Sequence, residues 1–97
     1  MNISIEQLAQ ELPDFASHEE ARNWFQQKYK DSFIYKSQDV SDGMNVFFYH
    51  IVKDPQVYEQ YMAELQNEVH STLQDDKAFY SYTTVEIAEN GDISLSL

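Results

Sequence analysis

Proton transfer near neutral pH calls first for histidine, and the chain has three, His18, His50 and His70. None has a motif partner. No two of them show His-x-His or i, i+4 spacing, so a zinc site would need Asp or Glu ligands gathered by the fold. With no cysteine anywhere, thiol redox chemistry, cysteine nucleophiles and disulfide scaffolds are removed together. The segments Asp39-Val40-Ser41-Asp42-Gly43 and Glu89-Asn90-Gly91-Asp92 look superficially like calcium loops. Neither has the spacing or the closing glutamate of one, and turn chemistry explains both. Gly43 and Gly91 are the only glycines, which leaves none to bring backbone amides against a pyrophosphate. The adjacent Asp75 and Asp76 read as a solvated turn rather than an acid and base pair. No catalytic, cofactor-binding or metal-binding residue is therefore assigned, and a non-enzymatic protein is expected.

Charge narrows the partners. Seventeen acids face six bases in 97 residues, a net charge of −11, which makes phosphate backbones poor partners and sets nucleic acid aside. The acidity is concentrated at the two ends of the sequence. Residues 1–21 hold five acids and no base, residues 22–53 hold five bases against three acids, and residues 54–97 hold nine acids against Lys77. No apolar run approaches the roughly 20 residues of a membrane-spanning helix, and residues 1–10 lack the pattern of a signal peptide. The expectation is a cytoplasmic protein with no membrane partner.

The elements that must position these side chains are marked by local signals. Ser4 and Ser17 have capping-box spacing, predicting helices over about Ile5 to Glu11 and His18 to Lys30, the second with an apolar stripe of Ala21, Trp24, Phe25 and Tyr29. Two equal nine-residue runs, Phe33 to Ser41 and Met44 to Val52, flank Asp42-Gly43, a two-residue hairpin turn. Uninterrupted pairing from that turn sets Ser37 opposite Phe48, Tyr35 opposite His50 and Phe33 opposite Val52, with Ile34 opposite Ile51 and Lys36 opposite Tyr49 on the other face. The second strand is apolar on both faces, so it should be central or covered twice.

Asp54-Pro55 opens the strongest helical pattern, Val57, Tyr58, Tyr61, Met62, Leu65, Val69 and Leu73, expected to run from Pro55 to about Leu73 and to supply the main core. The final hairpin joins Phe79 to Ala88 with Asp92 to Leu97. A two-residue turn there would bring Glu86 among apolar side chains. A three-residue loop, Glu89-Asn90-Gly91 with Gly91 left-handed, instead sets Ile87 opposite Ile93 and Val85 opposite Leu95. The order α-α-β-β-α-β-β predicts a single α+β domain, a four-stranded mainly antiparallel sheet packed on a long amphipathic helix, with two N-terminal helices.

Two surface features are candidates for interaction, although a solubilising skin also accounts for the first. Glu59, Glu64, Glu68, Asp75 and Asp76, with Glu89 and Asp92 at the hairpin tip, form a candidate acidic patch facing a basic protein. Phe47, Tyr49, Tyr80 and Tyr82 form a candidate interaction face, covered either by the two N-terminal helices or by a second copy in a twofold dimer that tightens with salt. The leading expectation is a small acidic protein-binding module, an inhibitor, adaptor or regulator whose partner the sequence does not name. The alternative is a small-ligand binder or enzyme with a pocket between helix 55–73 and the sheet, lined by Tyr58, Tyr61, His50 and Tyr35.

Overall fold

The first two helices start where serine can satisfy an open backbone amide. In the computed structural model, which describes residues 4–66 and 81–96, Ser4 Oγ accepts from the Gln7 amide at 3.3 Å and Ser17 Oγ from the Glu20 amide at 3.2 Å. They open α1 (Ile5–Glu11) and α2 (His18–Tyr29). The second helix ends one residue before Lys30 because Lys30 takes a positive φ of 51° and leads into a short 3-10 turn, Lys30–Ser32. Next come β1 (Phe33–Ser41) and β2 (Met44–Val52), joined by Asp42 and Gly43 with φ of 53° and 77°, the pair of left-handed residues that a type I′ turn needs. Asp54 caps α3 (Pro55–Gln66) through its carboxylate, which accepts from the Val57 amide at 3.3 Å. The remaining strands are β3 (Tyr82–Ala88) and β4 (Ile93–Ser96). The side chains of Glu64 and Leu65, and the expected continuation of the helix through Val69 to Leu73, lie outside the described residues.

The four strands form one antiparallel sheet in the order β1-β2-β3-β4, which makes β2 an inner strand as its two apolar faces require. The last hairpin has the expected register, Ile87 opposite Ile93 and Val85 opposite Leu95, with Gly91 left-handed at φ 94°. The first hairpin does not keep its predicted register throughout. Pairing follows the turn from Ser41 opposite Met44 to Ser37 opposite Phe48, and then Lys36 drops out as a bulge. Beyond it Tyr35 faces Tyr49, Ile34 faces His50 and Phe33 faces Ile51. A single unpaired residue exchanges the faces of everything beyond it. Phe33 and Tyr35 thereby leave the face that carries His50 and join the face that carries Phe47, Tyr49 and Ile51.

That exchange decides where the core lies. Leu8 from α1 and Ala21 and Phe25 from α2 are buried against Phe33, Tyr49, Ile51, Val85 and Ile87, with Phe15, Trp24, Tyr29, Phe47, Ile93 and Leu95 packed around them. Among the described residues the main cluster thus forms between the N-terminal helices and the sheet, while Leu65, Val69 and Leu73, on which the expected core of α3 depended, have side chains outside the described residues. On α3, Tyr58 is buried, while Tyr61 and Met62 are only partly covered and Glu59 and Ala63 are exposed. Rings stack in series across the core. Phe25 lies 5.3 Å from Phe33 at an interplanar angle of 9°, and Phe33 lies 4.4 Å from Tyr49 at 11°.

The two glycines serve different ends. A Cβ at Gly43 would meet nothing within 4 Å, whereas one at Gly91 would stand 2.3 Å from the Phe15 carbonyl oxygen, because the chain entering α2 crosses directly over this loop. Gly43→Ala should therefore cost only the left-handed conformation, about 1 kcal/mol. Gly91→Ala should cost at least about 3 kcal/mol, since backbone must move as well. Urea denaturation of the two variants measures the difference; equal losses would mean that the Phe15 segment yields freely.

Candidate functional site

Residues His18, Arg22 and Gln26 follow one another at intervals of four along α2, which places them in a line beside the apolar stripe. That line forms one wall of a cleft of about 430 Å³ whose other lining residues are Phe33, Tyr35, Phe47 and Tyr49 from the sheet. The bulge at Lys36 is what brings Phe33 and Tyr35 here. At the base of the cleft, His18 Nε2 and the Tyr49 hydroxyl share a hydrogen bond of 2.7 Å, and the His18 ring stacks on Phe47 with centroids 3.7 Å apart. Tyr35 meets Tyr49 edge-on at 5.5 Å and remains 53% exposed, so its ring stands at the mouth.

The electrostatics of this cleft run against those of the chain. Burial holds the His18 imidazole below its ordinary pKa, and the Arg22 guanidinium pushes it the same way, with Glu19 opposing. Burial likewise raises the Tyr49 hydroxyl, against the pull of Arg22. At neutral pH both members of the hydrogen bond are therefore uncharged, and Arg22 is the one charged residue among the described residues of the lining. Its guanidinium bonds to Asn23 Oδ1 at 3.4 Å, and the one ion pair made between described residues is elsewhere, Lys28 with Glu11. That pair ties the end of α1 to α2, but both partners are exposed, which limits its contribution to well under about 1 kcal/mol.

On the opposite face of the sheet His50 occupies a different setting. Its Nδ1 lies 3.1 Å from the Tyr58 hydroxyl, and its ring stacks on Tyr82 at 4.2 Å, with Tyr61 beyond and the Lys36 ammonium 6.0 Å above Tyr58. Three of the four residues expected to line a pocket under α3 do come together, with Tyr82 among them. The fourth, Tyr35, belongs to the other face because of the bulge. Burial, with Lys36 adding to it, lowers the His50 pKa from 6.5 to about 4.

The candidate interaction face divides in the same way. Phe47 and Tyr49 lie with the N-terminal helices, where Tyr49 is buried and Phe47 partly so, while Tyr82 lies against α3. Tyr80 is outside the described residues. Of the acidic patch, Glu59 is exposed on α3, and the Glu64 side chain, Glu68, Asp75 and Asp76 fall outside the described residues, as does His70. The tip acids have local duties. Glu89 accepts from the Asn45 amide at 2.7 Å, and Asp92 closes an Asx turn with Asn90, its amide donating to Asn90 Oδ1 at 3.0 Å. Arg22 and Gln26 carried no expectation from the sequence, although their spacing from His18 was a readable signal.

Protonating His50 has a calculable direction. In the unfolded chain its imidazole takes a proton near 6.5, but in the fold only near 4, so stability should be full above about pH 6.5 and fall as pH drops toward 4. Comparing urea denaturation at about pH 7.5 and pH 4.5 should show a larger loss for the parent than for His50→Phe; equal losses would mean that the ring is solvated in the fold.

Compared with known proteins, the chain matches no family model, no curated protein and no solved structure, so the chemistry of both faces has to be read from their own side chains.

Proposed function

We propose that this protein acts as a small acidic, non-catalytic protein-binding module whose recognition element is the open edge of β1, and that the partner fitting this edge is a second copy of the chain. The observation that carries the reading is the exposure of β1 from Tyr35 to Ser41 on an end strand nine residues long. Its two exposed large apolar side chains, Tyr35 and Val40, share one sheet face, since they stand opposite Tyr49 and Asn45.

Antiparallel addition of a second β1 has a self-complementary register. A twofold axis through Gln38, normal to the sheet, sets Ser37 against Asp39 of the partner subunit and leaves Lys36 out of the pairing, as it is on the β2 side. Tyr35 then meets Val40 of the partner subunit on one face. On the other, Lys36, whose ammonium lies over Tyr58, shares its surface with Asp39 of the partner subunit. A bulge and a lysine on an edge strand discourage indiscriminate pairing; this register accommodates both. The edge also lies in the segment where bases outnumber acids, away from the acidic ends. Added salt screens the −11 charge on each chain and leaves apolar burial intact.

Light scattering at about 20 mM and about 0.5 M salt should show a dimer that tightens with salt. Val40→Asp, at a position that is 63% exposed, should weaken it by at least about tenfold by setting a carboxylate against the ring of Tyr35 of the partner subunit and adding to the repulsion between the two acidic chains. Gln38→Pro should do the same by blocking the outer edge. A monomer at both salt concentrations, or association unchanged in both variants, overturns the reading.

A further inference from the structure

We propose that the cleft between α2 and the sheet is a binding site for a small aromatic carboxylate, with its carboxylate on Arg22 and its ring against Tyr35. The cleft has the size of a small-molecule site, about 430 Å³, within the several-hundred range that such sites occupy. Its walls are aromatic on the sheet side, with Phe33, Tyr35, Phe47 and Tyr49, and polar on the helix side, with His18, Arg22 and Gln26. That division suits a ligand with one flat apolar part and one polar end.

Charge selects the polar end. Among the described residues the lining contains a guanidinium and no carboxylate, in a chain with eleven more acids than bases. A planar guanidinium presents two parallel donors, the geometry that a carboxylate accepts, and its orientation is not already committed to an acid among the described residues. A single cation beside neutral His18 and Tyr49 matches one negative charge; a dianion would meet the surplus acidity of the chain without a second cation to offset it. Another cleft, about 490 Å³, shows the contrast. Asp14 and Asp92 are in its lining and, among its described residues, no Lys or Arg is, so they offer an anion no cation.

The His18–Tyr49 hydrogen bond gives the cleft a fixed floor. Both rings are held in place from outside, His18 by Phe47 and Tyr49 by Phe33. Tyr35 is the exposed wall: more than half open to solvent and set edge-on to Tyr49, its ring is available to stack on a bound ring.

Benzoate serves as the probe, benzamide as its neutral counterpart of the same shape. In an amide-proton NMR titration benzoate should give saturable shifts grouped on the His18 to Gln26 line of α2 and on Tyr35, Phe47 and Tyr49. Benzamide should bind at least about tenfold more weakly, and Arg22→Gln, a change at an exposed position, should weaken benzoate by at least about tenfold while leaving the rest of the spectrum in place. Benzoate shifts that fail to saturate by about 20 mM, equal affinity for benzamide, or undiminished binding by Arg22→Gln would each overturn the assignment.

Discussion

An aromatic series running from α2 into the sheet holds the two layers together, and it exists because β1 carries one residue more than its partner can match. Tyr29, Phe25, Phe33 and Tyr49 stack in succession, and His18 extends the series to Phe47. Phe33 is the link between helix and sheet. In an unbulged strand it would point to the face of His50 and Val52, leaving Phe25 without its stacked neighbour and Tyr49 without its cover. Each such ring pair contributes on the order of 1 kcal/mol beyond the burial of its area, so the series matters to a domain this small.

A second tie fixes where α2 begins. The carbonyl of Glu89 accepts from the His18 amide at 3.3 Å, its own amide donates to the Asn45 carbonyl at 2.9 Å, and its carboxylate takes the Asn45 amide. Three segments distant in sequence, the start of α2, the start of β2 and the loop after β3, therefore meet at one residue. Gly91 lets the loop pass beneath Phe15 without a side chain in the way. Because His18 is the first residue of α2, this tie also sets its ring over Phe47, and the cleft inherits its geometry from a loop that contributes nothing to its lining.

Much of this was legible in the residues themselves. Ser4, Ser17 and Asp54 announce helices through short-range capping, and the hairpin loops follow from the left-handed preference of Asp42-Gly43 and of Gly91, the latter together with the matching of Ile87 to Ile93. These signals act within a few residues. The bulge has no such signal: Phe33, Ile34 and Tyr35 are apolar in succession, so either phase buries something, and only the docking of Phe25 chooses between them. The placement of the core was hidden for a related reason. The apolar pattern from Val57 to Leu73 is the longer one in the sequence and that of α2 is sparse and aromatic, and periodicity weighs number above ring area. His18 and Tyr49 are 31 residues apart, so their hydrogen bond could be found only once the helix lay on the sheet. Glu89 read as surface charge because nothing in its neighbourhood showed that the Asn45 amide would need an acceptor.

The position of Tyr35 has a thermodynamic consequence. Its ring lines the cleft, and its backbone belongs to the end strand of the sheet. A group shared in this way makes their occupancies reciprocal: whatever free energy a ring bound in the cleft adds to or takes from strand addition at the edge, strand addition returns to the cleft in equal measure. The coupling requires no rearrangement of the fold and no relay through the core, only the choice of one exposed tyrosine between two neighbours.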